Sequence, residues 1–262
     1  MTTEERRTAL EAIAAEVRDC DRCRLAQGRT KAVPGEGDPD TEVVFVGEGP
    51  GQNEDRQGRP FVGAAGTLLE ELLGMIGWTR DDVFITNVVK CRPPHNRDPE
   101  PDEIAACQPF LRRQLEVLDP ALLVTLGRFS LQTFMPGDRI SRVHGTERAI
   151  DPASGARAAT GYALYHPAAA LRQGSLKETM QRDVAAVPEV LIRARAERAS
   201  ATQPGSAAAT EPTPWPQPAP TVAPDQNEPM NPAAAETADP QDMTDPHEED
   251  PMMIPDDQIG LF

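Results

Sequence analysis

The sequence predicts an α/β protein built on a parallel sheet, and three observations predict it. Four apolar runs of strand length stand at residues 43–46, 83–89, 122–126 and 162–165. Helical periodicity fills the stretches between them. The first run stops abruptly in Gly47-Glu-Gly-Pro-Gly51, a glycine-rich loop of the kind that follows a buried strand where open α/β sheets build their sites. Strands that are apolar throughout, alternating with helices, argue a sheet covered on both faces.

Each element has its own warrant. Residues 8–17 read as a short amphipathic helix that ends before Cys20. Residues 66–76 place Leu68, Leu69, Leu72, Leu73 and Ile76 on one helical face. A helix over 102–118 opens behind Pro101, a good first-turn residue, and a shorter one spans 128–134. A final helix over 177–199 is interrupted at Pro188. Site residues then belong at the C-terminal ends of the strands.

Charge divides the chain. Of its 262 residues, the last 62 carry twelve acids, no Lys or Arg, and thirteen of the twenty-seven prolines. The remaining thirty acids and twenty-six bases leave the first 200 residues at net −4. The organisation expected is a folded domain over 1–200, a disordered Pro-rich acidic tail over 201–256, and a separate terminal peptide over 257–262. The folded part is long enough to bury a core without disulfides. No stretch reaches the roughly 20 apolar residues of a membrane span, and the N-terminus lacks a signal-peptide apolar region. A cytoplasmic location and a monomer are expected.

Four cysteines stand at Cys20, Cys23, Cys91 and Cys107. Cys20-Asp-Arg-Cys23 offers two thiolates to one centre, and Cys91 and Cys107 can complete it. Zinc and an iron–sulfur cluster both accept four thiolates, and four unrelated buried thiols are the plain alternative. A redox-active pair is less well supported, because Cys20 does not open a helix after a strand.

Polar residues at strand ends are the other candidates. Asn87 lies inside the second apolar run, where an amide must be satisfied, and its paired donor and acceptor suit a nucleobase edge or neighbouring backbone. His166, held by Pro167 after the fourth run, can donate to a developing anion or serve structure alone. His95 and His144 have no acid or Cys at ligand spacing and stay unassigned.

Together these residues resemble one family. Gly47-Glu-Gly-Pro-Gly51 with Glu54-Asp55 and Gly58-Arg-Pro-Phe-Val-Gly63 looks like the first motif of the family 4, iron–sulfur uracil-DNA glycosylases. Thr86-Asn-Val-Val-Lys-Cys-Arg-Pro-Pro94 and His166-Pro-Ala-Ala-Ala-Leu-Arg172 resemble the middle and second catalytic motifs, and the four cysteines match the set that holds a 4Fe-4S cluster. The resemblance implies a three-layer α/β/α fold with a four-stranded parallel sheet. It implies an enzyme that flips uracil from DNA and cuts the N-glycosidic bond, leaving an abasic site. Phe61 would stack on the base, Asn87 would read its amide edge, Gly49 and Pro50 would shape the backbone around it, and His166 would donate to uracil O2. Leu171 and Arg172 would fill the duplex gap and hold phosphate. Glu48, with Glu54 as runner-up, would position water, since relatives outside this branch carry an Asp where this chain has Gly49. Broader deaminated-base specificity and a non-catalytic DNA-binding module are the alternatives. Arg24, Arg29, Lys31, Lys90, Arg92 and Arg97, close to the cysteines in sequence, are expected to form the phosphate-facing surface. The terminal Gln258-Ile-Gly-Leu-Phe262 resembles the peptide by which bacterial repair proteins dock on the sliding clamp.

Overall fold

A computed structural model describes residues 1–201. Its strands are β1 (Glu36–Gly37), β2 (Val43–Gly47), β3 (Phe84–Asn87), β4 (Leu122–Leu126), β5 (Glu147–Ala149) and β6 (Thr160–Leu164). Among the described residues the helices are α1 (Thr3–Asp19), α2 (Leu25–Gly28), α3 (Gln52–Gln57), α4 (Ala64–Met75), α5 (Pro101–Leu118), α6 (Arg128–Phe134), α7 (Ile140–Val143), α8 (Pro167–Arg172), α9 (Gly174–Ala185) and α10 (Val187–Ala201).

One sheet runs in the order β1-β3-β2-β4-β6-β5. The four expected strands form its parallel centre, β3-β2-β4-β6. The expectation of four strands falls short by two, because β1 and β5 pair antiparallel on the outer edges and make the sheet mixed. These edges are two and three residues long, too short to show alternation in the sequence.

Period-two alternation sends each central strand into two cores. Val44, Val46 and Leu123 pack with α1, α5 and α6 through Ile13, Val17, Phe110, Leu111, Leu131 and Phe134. Val43, Phe45, Leu122 and Val124 pack on the other face with Leu68, Leu69, Leu72 and Leu73 of α4 and with α9 and α10. The result is the three-layer sandwich.

Local chemistry sets the helix ends. α1 begins at Thr3, earlier than periodicity suggests, because Thr2 accepts from the Glu5 amide and Glu5 returns the bond. α5 opens on Pro101 as expected. The last helix divides at Ala186, so Pro188 falls in the first turn of α10, where its missing N–H costs nothing. No described helix is long and apolar enough to cross a membrane. The tail and its terminal peptide lie outside the described residues.

Chain order places the site. β2 connects to β3 on one side of it, and β3 then crosses to β4 on the other, so adjacent loops diverge above the C-terminal end of β2. The loops that leave β2, β3, β4 and β6 all meet there.

Candidate active site

A cleft of about 620 Å³ opens at these strand ends. It is lined by Glu48, Gly49, Pro50 and Glu54 from the first loop, Phe61, Asn87, Gly127 and Arg128, and His166 and Arg172 from the last. Residues scattered over more than 120 positions of sequence thus share one wall. Leu171 does not line it. That side chain stands on α8 about half exposed, at 52 %.

Gly47 and Asn87 are register partners at the ends of β2 and β3. A Cβ on Gly47 would lie 2.4 Å from Asn87 Oδ1 and 2.6 Å from Phe61 Cζ. Only glycine lets both side chains close on this strand end. Asn87 is buried, and its Oδ1 has no hydrogen-bond partner. A buried acceptor left open costs about 1–3 kcal/mol, and a ligand that brings an N–H recovers it.

The Phe61 ring packs on the His166 ring, centroids 5.7 Å apart and planes at 30°. His166 caps α8, where its Nδ1 accepts the Ala168 amide at 3.1 Å. The neutral ring therefore carries its proton on Nε2. Burial, helped by the nearby Arg172 and opposed by Glu54, brings the imidazole down to about 4. At neutral pH it is an uncharged donor.

The two loop acids differ. Burial lifts the Glu48 carboxyl to about 7, with Asp98 adding to the rise and Arg128 opposing it. Glu54 is buried, and its Oε1 accepts the amides of Val62 and Gly63 at 2.9 and 2.8 Å. Asp55, its neighbour, accepts the Thr30 amide at 2.9 Å.

The profile of the uracil DNA glycosylase superfamily matches residues 34–187. A type-4 uracil-DNA glycosylase of Sulfurisphaera tokodaii is 47 % identical over 190 residues, covering 70 % of this chain and 86 % of that protein. This chain belongs to the uracil DNA glycosylase superfamily, in its type-4 branch. Type-4 uracil-DNA glycosylases of Archaeoglobus fulgidus and Thermotoga maritima are 44 % and 46 % identical, covering 70 % and 65 % of this chain and 93 % and 87 % of theirs. A type-5 enzyme of Thermus thermophilus is 35 % identical over 120 residues, 40 % of this chain and 54 % of its own.

Away from the cleft, this glycosylase gathers its cysteines at one edge of the core. Cys20 ends α1, Cys23 precedes α2, Cys91 follows β3, and Cys107 lies in α5. Cys91 and Cys107 are buried, and Cys20 and Cys23 pack against the same core. They lie close enough that thiolates at Cys20 and Cys23 would raise Cys91 further, after burial itself. Burial pushes Cys107 up to about 12, opposed by Lys90. Arg29 donates to Cys91 Sγ at 3.2 Å and to the Cys20 carbonyl at 2.7 Å. Among the described residues no three His, Cys, Asp or Glu side chains close on one ion-sized site.

The expected phosphate-facing surface needs correction. Lys90 is fully buried, not surface-facing, and its Nζ donates to Thr86 Oγ1, the Asn87 carbonyl and Gln114 Oε1 at 2.6–2.9 Å. Three acceptors converge there, and burial without a carboxylate pulls the ammonium down to about 7. Arg97 forks onto the buried Glu103, and Arg24 pairs with Asp102. Arg29 is spent on the cysteine segment.

Sequence reasoning missed several cleft groups, Arg128 among them. Asn96 and Asp98 lie in the loop after Cys91, where Asn96 takes a φ of 54° and accepts from Arg92 at 2.7 Å. Tyr165 is backed by His144, 4.7 Å ring to ring, which in turn holds Asp183 at 2.8 Å. The run Pro93-Pro94-His95-Asn96 was a readable turn signal. The His144–Asp183 pair, 39 residues apart, left none. His95 is exposed and does not line the cleft.

Proposed function

We propose that this protein is a DNA repair enzyme: its cleft takes uracil flipped from DNA and hydrolyses the N-glycosidic bond. The orphaned, buried Oδ1 of Asn87 carries the reading. It supplies the acceptor for uracil N3–H while the amide nitrogen donates to O4. Cytosine presents an amino group and a bare ring nitrogen instead, and meets the same amide wrongly. Phe61 stacks on the base, and Gly49 and Pro50 border it. His166 Nε2–H faces O2, where charge collects as the C1′–N1 pair leaves with the base. Water adds to C1′ and gives its proton to Glu48, whose raised carboxyl suits a general base near neutral pH. Glu54 positions the Phe61 loop through Val62 and Gly63. The bond is unreachable inside the stack, and extrusion costs a few kcal/mol. Leu171, exposed on α8, fills the gap, and Arg172 holds phosphate.

Cys20, Cys23, Cys91 and Cys107 would hold the 4Fe-4S cluster implied by the family resemblance, since such a cluster takes four thiolates. When bound, it would tie the N-terminal segment to the loop after β3 through iron–sulfur bonds. The protein acts as a monomer in the cytoplasm over a 1–200 domain, and the 201–256 tail carries residues 257–262 to a sliding clamp.

Excision of uracil from a labelled oligonucleotide by wild type, Asn87→Ala and His166→Ala tests this. Activity in wild type and its loss in both variants is expected, and full activity in both overturns the site. Iron and acid-labile sulfide in the purified protein test the cluster, and deletion of 258–262 tests clamp binding.

A further inference from the structure

We propose that Arg80 is a positioning residue for base stacking, acting from behind the cleft through the main chain of Phe61. This rests on the stacking role of Phe61 given above.

Phe61 has a φ of 51°, in the left-handed region that bulky residues rarely occupy. Such a conformation persists only where surrounding groups hold it. The Pro60 carbonyl accepts from Arg80 Nη2 at 2.6 Å and the Phe61 carbonyl from Nη1 at 2.8 Å. The next two amides, of Val62 and Gly63, donate to Glu54 Oε1. Three consecutive peptide groups, 60–61, 61–62 and 62–63, are thus held by two opposite groups, a guanidinium on the carbonyls and a carboxylate on the amides, with the central one gripped at both ends. α4 closes the remaining direction, because Gly66 leaves room for the Phe61 carbonyl where any Cβ would stand 1.9 Å from its oxygen.

Arg80 is itself fixed. It opens the short turn Arg80–Asp82 ahead of β3, capped by Thr79, whose own amide donates to the Asp82 carboxylate. Glu36 on edge strand β1 accepts from Nη2 at 2.6 Å, and Glu70 of α4 lies 3.3 Å from Nη1. Its side chain is 15 % exposed. Two carbonyls and two carboxylates divided between Nη1 and Nη2 suit a guanidinium and not an ammonium, and the buried Nε alone has no partner. Arg80 does not line the catalytic cleft. It lines a separate cavity of about 680 Å³ with Glu36, Arg59 and Trp78, open enough to admit a small cation.

The test is a double-mutant cycle on single-turnover uracil excision. In the wild-type background Arg80→Gln is expected to lower the rate about ten- to a hundredfold with little change in KM, as a roughly 1 Å misplacement does. In the Phe61→Ala background the same substitution is expected to change it less than about twofold, because residues acting through one another are not additive. Added guanidinium is expected to restore Arg80→Ala, while Arg80→Lys, which keeps the charge, stays slow. Arg59→Gln, which removes only the exposed partner of Glu36, is expected to leave the rate unchanged. Full activity of Phe61→Ala overturns the stacking role and this proposal with it. A slow Phe61→Ala with an undiminished Arg80 effect in its background, or a folded Arg80→Ala deaf to guanidinium, overturns the Arg80 proposal alone.

Discussion

Replacing Gly66 by alanine ought to reverse the usual rule for helices. Gly→Ala inside a helix normally stabilises by about 0.5–1 kcal/mol, through a smaller loss of backbone freedom. At Gly66 the new Cβ would stand 1.9 Å from the Phe61 oxygen and 2.2 Å from its carbonyl carbon. Ordinary contact begins near about 3.5 Å, so the Phe61 main chain must move by roughly 1.5 Å. Movement towards Arg80, now 2.8 Å away, overlaps the guanidinium, and movement away from it breaks the bond. Losing a hydrogen bond to a charged group costs about 1.5–3 kcal/mol, and the Pro60 bond belongs to the same clamp. The net destabilisation expected is about 2–4 kcal/mol. For a folded domain of this size each kcal/mol moves the thermal midpoint about 2–4 °C, so a fall of roughly 5–15 °C is expected by calorimetry. Excision by the folded fraction should fall about a hundredfold, because the stacking ring moves with its backbone. A midpoint that rises by a few degrees with activity intact would falsify the seating of Phe61 on α4.

Other outcomes follow from the charges. Glu48, lifted to about 7, should give excision a limb that rises with pH and levels above about pH 8, and Glu48→Gln should abolish this limb over pH 5–9. Asp98→Asn should move the limb to lower pH and Arg128→Gln to higher, and a limb that survives Glu48→Gln assigns the water to another carboxylate of the cleft, Glu54 first. A carboxyl raised in the folded state contributes stability below its unfolded value and loses it as pH climbs through 7, so Glu48→Gln should gain thermal stability at pH 8 relative to pH 5. His166, lowered to about 4, is neutral in the folded enzyme from pH 5 upward and should add no inflection to the excision profile there. Its unfolded form binds a proton near pH 6.5, so His166 subtracts stability as pH falls from there to 4, and His166→Gln should flatten acid unfolding in that window, read by circular dichroism against pH. Cys107→Ala should lose bound iron and lower the thermal midpoint, and unchanged iron content removes Cys107 from the donor set.

What the sequence disclosed depended on whether a residue's partner was local. β2 and β4 were plain as apolar runs, because both faces of a central parallel strand are covered. β1 and β5 were not, since their pairing belongs to the neighbouring strand and not to their own two or three residues. The six-residue helices α3 and α8 are too short to show a period, and only the Gly51 and His166-Pro167 starts betray them. Asn87 stood out because an amide inside an apolar run must have a reason. Lys90 misled, because lysines beside loops usually face water, and its three acceptors come from β3 and α5. Arg80 gave no sign. Its bonds go to main-chain carbonyls 19 and 20 residues away, which no side-chain pattern records.

The same distinction bears on how the cleft would select on the proposed reading. Asn87 and Phe61 rest against the bare backbone of Gly47, and Phe61 rests also on Gly66, so the ring and the amide are set by main chain and not by rotamer choice. Main chain inside a paired sheet and a packed helix cannot yield a few tenths of an ångström cheaply. Selectivity on the proposed reading needs that stiffness. Uracil and cytosine have nearly the same outline and differ in which edge atoms carry hydrogen. A yielding wall would let Asn87 turn its amide to suit either base. Rotation is opposed here, because Oδ1 is lodged against Gly47 in the register pair that joins β2 to β3. A base without the N3–H therefore leaves a buried acceptor facing a lone pair, and polar sites left unpaired in this way discriminate by about 10⁴–10⁵ where shape alone gives far less. Gly47 and Gly66 are on that reading the rigid template of the pocket.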